Sequence, residues 1–194
     1  MYVQRWQDGV KQMPKKRATR IIRQTQLGFV LGQLTGKFTL AFYIGMGKDK
    51  GFKERMISIG IAMRTCSKMT HVEMVFPDGW SYSSSGMDGG VRKKIITYSH
   101  PERWVFVTLV HNMTPESALY VKECKKRWDK ILGKKYDHLG IWLNEAIPLG
   151  IEDKGAWYCS EGCKYSAGWE KPWAISPARL HKEAVVRTLE GRVR

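Results

Sequence analysis

The chain has 194 residues, and 33 Lys and Arg against 18 Asp and Glu give it a formal net charge of +15 at pH 7. Its length suits one domain with an extension, and its hydrophobic fraction of 43% is an ordinary value that permits a real core. The positive charge favours an anionic partner without selecting among nucleic acid, acidic lipid and cell-wall polymer. The four cysteines are not spaced as in a zinc ribbon, which favours reduced thiols; they are Cys66, Cys124, Cys159 and Cys163.

No targeting segment is predicted. A basic run at 11–23 precedes an apolar run at 27–34, but the basic run is too long for a signal peptide, and Gln33 interrupts the apolar run. A membrane-spanning helix over 27–46 would place Lys37 near its middle, at a cost of roughly 2.5–3.5 kcal/mol. We therefore predict neither a signal peptide nor a transmembrane segment.

Residues 1–37 differ in composition from the rest of the chain. They contain many Lys and Arg residues and a single acid, Asp8. Gly28, Gly32 and Gly36 recur every four residues, a spacing that lets another helix approach closely, although each glycine weakens an isolated helix by about 1 kcal/mol. Two interpretations stay open for this extension: a flexible basic arm, or a helix that docks on a partner or a membrane surface. We place the folded domain at 38–194.

Apolar and β-branched runs predict several strands in the first half of this domain. They lie at 38–44, 70–76 and 104–110, with a hairpin of 80–84 and 91–97 around the glycines between them. The apolar stripe of 52–64 is typical of an amphipathic helix. Gly45-Met46-Gly47-Lys48 lacks a full phosphate-binding pattern, so we interpret it as a turn.

Helices are predicted in the second half. Thr114 is a capping residue and Pro115 suits the first helical position, while Gly133 marks the end of that helix. Its buried face is predicted to hold Val121, Cys124, Trp128 and Ile131. Ser176 is predicted to cap a further short helix.

The segment 156–163 contains the main candidate for chemistry. Tyr158 leads into Cys159, at the start of what reads as a short helix ending near Gly168. A cysteine in the first helical turn lies at the positive end of the helix dipole beside unpaired N–H groups, and both favour the nucleophilic thiolate. Taken alone, such a cysteine is more often buried and inert.

The candidate base for Cys159 lies far upstream in the strand at 70–76. Residues two apart in a strand share a face, so His71 and Glu73 are expected to stand together, and the carboxylate could hold the imidazole in one tautomer. Glu161 competes for this orienting role, although its place in the first helical turn also suits capping. Cys163 could join Cys159 and His71 as a metal ligand, but a fourth ligand is not evident, so no metal site is predicted.

These segments together resemble the permuted NlpC-like cysteine hydrolases, in which the histidine precedes the cysteine. The resemblance covers roughly residues 38–185 and rests on the strand at 38–44, THVEMVF at 70–76, GKKYDHLG at 133–140, WYCSE at 157–161 and ISPARL at 175–180. It implies an α+β, papain-like fold with an antiparallel sheet packed against helices. It also implies Cys159 as nucleophile, His71 as base and Glu73 as the orienting residue. The supporting candidates, for oxyanion binding or orientation, are Tyr136, Tyr158 and Glu161, and Tyr136 matches a tyrosine beside the reaction centre of relatives.

The resemblance implies hydrolysis through a thioester acyl-enzyme, with amide bonds of peptidoglycan peptides as the first substrate class. Lipid or thioester acyl hydrolysis, or acyl transfer, is the second. A non-enzymatic alternative is a phage virion or assembly component that keeps the fold and uses residues 1–37 to bind an anionic surface or a virion partner. Phage-encoded proteins of unassigned function resemble this permuted form of the family. The host cytoplasm or a virion is therefore the expected location. No cofactor is predicted, nor is sequence-specific nucleic-acid binding, because no reading motif accompanies the charge.

Overall fold

The computed structural model describes residue 34 and residues 36–45, 67–98, 100–137, 155–172 and 175–193. This part of the chain is a mixed α+β domain with a seven-stranded, mostly antiparallel open sheet and three α-helices. The α+β class predicted from the sequence is therefore confirmed. The helix predicted at 52–64 lies outside the described residues, and so does the extension at 1–37 except for Leu34, which is helical, Gly36 and Lys37.

The sheet has the strand order β5-β1-β2-β3-β4-β6-β7. Every neighbouring pair is antiparallel except β6 and β7, which are parallel. The strands are β1 (Phe38–Ile44), β2 (Met69–Val75), β3 (Ser81–Ser85), β4 (Gly90–Lys94), β5 (Trp104–Val110), β6 (Lys135–Tyr136) and β7 (Ala156–Trp157). The helices are α1 (Pro115–Ile131), α2 (Cys159–Ala167) and α3 (Pro177–Leu189), and a 3₁₀ turn at Pro101–Arg103 precedes β5.

Most of the predicted elements are confirmed, and the hairpin needs a correction. β1 and β5 have the predicted bounds, but β4 ends at Lys94 and not at residue 97. Ile95 is 60% exposed, whereas Tyr98 is 2% exposed because the chain leaves the sheet and folds back against it. The apolar residues at 95–98 therefore belong to a packed loop and not to a strand.

The two faces of the sheet are covered differently. Phe38, Leu40 and Phe42 alternate on β1 toward the face that packs against α1, α2 and α3, and this face forms the main core. On the opposite face a smaller cluster contains Leu34, Ala41, Val75 and Tyr98. Leu34 is only 6% exposed, so the end of the basic extension contacts the sheet. The domain boundary after residue 37 stays a prediction, and Leu34 is a contact across it.

Helix α1 has the cap and the buried face predicted for it. The Thr114 side chain accepts a hydrogen bond from the Ser117 backbone N–H, and Pro115 occupies the first turn. The buried residues include all four predicted positions, Val121, Cys124, Trp128 and Ile131. Trp128 Nε1 lies 3.1 Å from the Met74 sulfur, which joins α1 to β2. Cys124 lies on this buried face, so its prediction as a core residue is confirmed.

Helix α2 is held in place on two sides. Ser166 Oγ donates to the Cys124 carbonyl at 2.5 Å, and Arg127 donates to the Ser166 carbonyl at 2.9 Å, which joins α2 to α1. Near the other end, Ser160 Oγ donates to the Ile175 carbonyl at 2.5 Å. These buried hydrogen bonds determine the position of the first residue of α2, which is Cys159. Among the described residues, no helix has the length and apolarity needed to cross a membrane.

Candidate active site

Cys159 begins α2, as the sequence predicts. Tyr158 is the N-cap residue with an extended backbone (φ −107°, ψ 171°), and Gly168 ends the helix with a left-handed φ of 73°. Just before the cap, Ser84 Oγ donates to the Trp157 carbonyl at 2.6 Å, so β3 holds the segment that leads into the helix. The start of α2 is thereby attached to the sheet beside β3.

Strands β2 and β3 are hydrogen-bonded over only part of their length. β2 and β3 pair at two positions, Met74 with Tyr82 and Val75 with Ser81. At the next step Ser83 Oγ donates to the Val72 carbonyl at 2.7 Å, so a side chain binds that carbonyl. The pairing thus ends before His71, and α2 packs against both β2 and β3.

His71 contacts both Cys159 and Glu73. The Cys159 side chain lies close enough to the imidazole to help raise the pKa of His71. His71 Nε2 lies 2.8 Å from Glu73 Oε1, which confirms that the two side chains share a face of β2. Because Nε2 faces the carboxylate, Nδ1 is the ring nitrogen left for the thiol. The three residues predicted at the site are therefore in contact, in the order Cys159, His71, Glu73.

Arg92 completes the group, and no sequence pattern had indicated it. Its guanidinium binds Glu73 through two parallel hydrogen bonds, Nη1 to Oε2 at 2.7 Å and Nη2 to Oε1 at 2.6 Å. Arg92 Nε also donates to Asp88 at 2.8 Å, and Lys94 Nζ donates to Asp88 at 2.9 Å. A carboxylate that is buried in a sheet needs a cationic partner, so the sequence could have indicated that some basic residue binds Glu73. No pattern in the sequence indicates which basic residue that is.

The surroundings shift the pKa values of His71 and Glu73 in opposite directions. Burial lowers the pKa of His71, but the hydrogen bonds and negative charges of Cys159 and Glu73 outweigh it and raise that pKa to about 9. Burial raises the pKa of Glu73, but its bonds to His71 and Arg92 outweigh it and lower that pKa to about 2. Such an arrangement favours the imidazolium form of His71 beside the ionised Glu73 carboxylate.

The other described cysteines lie in different surroundings. Burial raises the pKa of Cys163 well above its ordinary value, and the negative charge of Cys159 adds to this. Burial also raises the pKa of Cys124, to about 12. Both therefore stay thiols at neutral pH. Within the described residues, Cys159, Cys163 and His71 belong to no cluster that could hold a metal ion.

The supporting candidates lie around the start of α2. Glu161 Oε2 accepts a hydrogen bond from the Tyr158 backbone N–H at 3.4 Å, which is the capping role that the sequence analysis left open. Tyr158 is buried. Tyr136 on β6 pairs with Trp157 on β7, so it lies one strand away from the segment that enters α2. The structure thus brings all three near Cys159.

No family model, curated protein or solved structure matches this chain. The interpretation of Cys159, His71 and Glu73 as a site therefore rests on their chemistry and geometry. The strongest feature is the position of one imidazole between a thiol and a buried carboxylate.

The carboxylate of Glu73 is expected to make stability depend on acid pH. Its pKa is about 2 in the folded protein against an ordinary 4.5, so the unfolded chain binds more protons between these values. The stabilisation is complete above about pH 4.5 and is lost as the pH falls through 2; it amounts to about 3 kcal/mol. Urea unfolding between pH 2 and 6 should show a shallower rise of stability with pH for Glu73→Gln than for the unmodified protein.

Glu123→Gln is the matched control for that experiment. The Glu123 carboxylate is 42% exposed and pairs loosely with Lys126, at 3.8 Å, so its replacement should leave the slope unchanged. Asp88, whose pKa is also about 2 because its bonds to Lys94 and Arg92 outweigh burial, supplies part of the slope that remains. Equal slopes for the unmodified protein and Glu73→Gln would contradict the expected linkage.

Proposed function

We propose that the protein is a cysteine hydrolase of the permuted NlpC-like, papain-like type. The observation that carries this proposal is the placement of His71 between the Cys159 thiol and the Glu73 carboxylate, with Cys159 at the first position of a helix. A nucleophile, a base and a group that orients the base are the three parts that covalent catalysis by a thiol requires.

The proposed reaction begins with a proton on His71 and a thiolate at Cys159. The sulfur attacks the substrate carbonyl and forms a C–S bond, while backbone N–H groups at the start of α2 stabilise the oxyanion. The imidazolium then gives its proton to the leaving amine as the C–N bond breaks, which leaves a thioester on Cys159. Water attacks the thioester and passes a proton to His71, and the carboxylic acid departs as the thiolate returns.

Glu73 supports both proton transfers. Its bond to Nε2 keeps the Nε2 hydrogen in place, so that Nδ1 is the nitrogen that gains and loses the proton. Because the carboxylate is 2% exposed, water does not compete strongly for it. The orienting role is thus assigned to Glu73, and Glu161 is assigned the cap.

The first substrate class is the amide bonds of peptidoglycan peptides. The net charge of +15 suits an anionic polymer of the cell wall, and papain-like chemistry acts on amides. Lipid or thioester acyl groups could be attacked by the same thiolate. A virion or assembly role without catalysis is the remaining alternative, with the extension at 1–37 as its binding segment.

Incubation with purified muropeptides, and separately with acyl lipids, tests these substrate classes by product mass. We expect the cleavage of muropeptides into an amine and a carboxylic acid, and a loss of about 10³-fold or more in Cys159→Ala, because the nucleophile is removed. Cys124→Ala is the matched cysteine variant and should retain the activity if its folding is verified by circular dichroism. Turnover of lipids alone would overturn the wall-peptide substrate, and turnover of neither would favour the non-enzymatic role.

A further inference from the structure

The Glu73 carboxylate is shared between two cations. Its Oε1 accepts a hydrogen bond from His71 at 2.8 Å and another from Arg92 at 2.6 Å, while Oε2 accepts the second arm of the guanidinium at 2.7 Å. A planar fork of this kind determines the plane of the carboxylate, which a lysine could not do. Arg92 therefore determines where Oε1 points, and Oε1 is the atom that holds His71.

Arg92 is itself held from the turn of the hairpin. Its Nε donates to Asp88 at 2.8 Å, and its side chain is 14% exposed. Lys94 lies on the same face of β4 and neutralises Asp88 from the other side at 2.9 Å. The charges of Asp88 and Lys94 offset each other. Asp88 therefore does not cancel the positive charge that Arg92 adds to the site.

The charges at the site balance only when Arg92 is counted. A thiolate at Cys159 and the carboxylate of Glu73 carry two negative charges, and the imidazolium of His71 carries one positive charge. The guanidinium brings the sum to zero. Without it, a largely buried group would carry one net negative charge, which favours the uptake of a proton by the thiolate.

We propose that Arg92 is a positioning residue of this site, which orients Glu73 toward His71 and balances the charge of the Cys159 thiolate. The proposal rests on the proposed function, because it concerns the ion pair of Cys159 and His71. It adds a fourth residue to the three that the sequence indicates.

Other titratable groups near the ion pair come from several elements. They are Cys163 on α2, Tyr98 in the loop after β4, Tyr43 opposite His71 on β1, and Asp88 and Lys94 on the hairpin. Asp88 and Lys94 form an ion pair with each other, and burial raises the pKa values of Cys163 and Tyr98. Arg92 is therefore the cation whose loss changes the balance most.

The test is the pH dependence of Cys159 alkylation by iodoacetamide, followed by peptide mass spectrometry. Arg92→Gln removes the charge but keeps a hydrogen-bond donor, and we expect the midpoint of the profile to rise by about one pH unit, a tenfold loss of reactive thiolate below it. Arg92→Lys keeps the charge but loses the fork that orients Glu73, so its midpoint should lie between those of the unmodified protein and Arg92→Gln. Lys93→Gln is the matched control, since it removes the same charge from an exposed neighbour on the opposite face of β4, over the Trp80 ring, and it should stay within about 0.3 unit of the unmodified protein.

A second pair of variants covers the case in which Arg92→Gln does not fold because Glu73 loses its partner. Removing both partners leaves no buried unpaired charge, so Glu73→Gln is compared with the double variant Glu73→Gln, Arg92→Gln. The double variant should have the higher midpoint of the two. Equal midpoints, in either comparison, would overturn the role of Arg92.

The outcomes separate this inference from the proposed function. If the unmodified protein shows no preferential alkylation of Cys159, the proposed function fails, and the inference fails with it. If Cys159 reacts preferentially but the midpoint of its pH profile does not change when Arg92 is replaced, only the inference fails.

Discussion

Iodoacetamide at about pH 6 is expected to alkylate Cys159 at least tenfold faster than Cys124 or Cys163. The thiolate is the reactive form, and Cys159 alone among these three has both a helix N-terminus and the His71 imidazole beside it. Burial keeps the other two protonated, since it raises the pKa of Cys163 well above its ordinary value and that of Cys124 to about 12. Peptide mass spectrometry of the alkylated protein measures the three rates separately.

His71→Ala is expected to remove this selectivity, because the thiolate loses its cation. Cys159 is itself only 3% exposed, so exposure does not account for a faster reaction. The measurement is made in a Cys66→Ala background, which removes the cysteine that lies outside the described residues. Equal labelling of the remaining cysteines, unchanged by His71→Ala, would mean that Cys159 is structural.

Gly90→Ala is expected to destabilise the domain by about 3 kcal/mol or more. A Cβ at this position would lie 2.0 Å from the Lys134 carbonyl oxygen, and the backbone has a φ of +151°, which L residues rarely adopt. The clash is with backbone, so a side-chain rotation cannot relieve it. Urea unfolding monitored by circular dichroism at pH 7 measures the change in free energy of unfolding.

Gly89→Ala is the matched control, one residue away. Its φ is +78°, but a Cβ there would meet no atom within 4 Å, so the substitution should cost only about 1 kcal/mol for the left-handed backbone. Similar losses in the two variants would contradict the clash. Because Gly90 pairs with Lys135 on β6, the Gly90 variant is also expected to lower the proposed activity by moving the strand pair that leads to Cys159.

The local elements were predictable because their signals are local. The Thr114-Pro115 cap, the alternation over 38–44 and the period-two spacing of His71 and Glu73 depend on residues close together in the chain. The end of β4 was not predictable, since Ile95 and Tyr98 have strand-like composition but one is exposed and the other packs on the second face. The two-residue strands β6 and β7 are too short for any period to appear.

From the sequence alone, the α+β class, the helix that starts at Cys159 and the pairing of His71 with Glu73 could be stated. The sequence named His71 as the candidate base for Cys159, but only tertiary packing brings these distant residues together, because α2 packs against both β2 and β3. Tertiary structure also decided that Arg92 binds Glu73, because the register of β2, β3 and β4 brings together residues 19 positions apart. Helix caps and strand faces follow from neighbouring residues, whereas contacts across a sheet depend on register and packing, which no local pattern specifies.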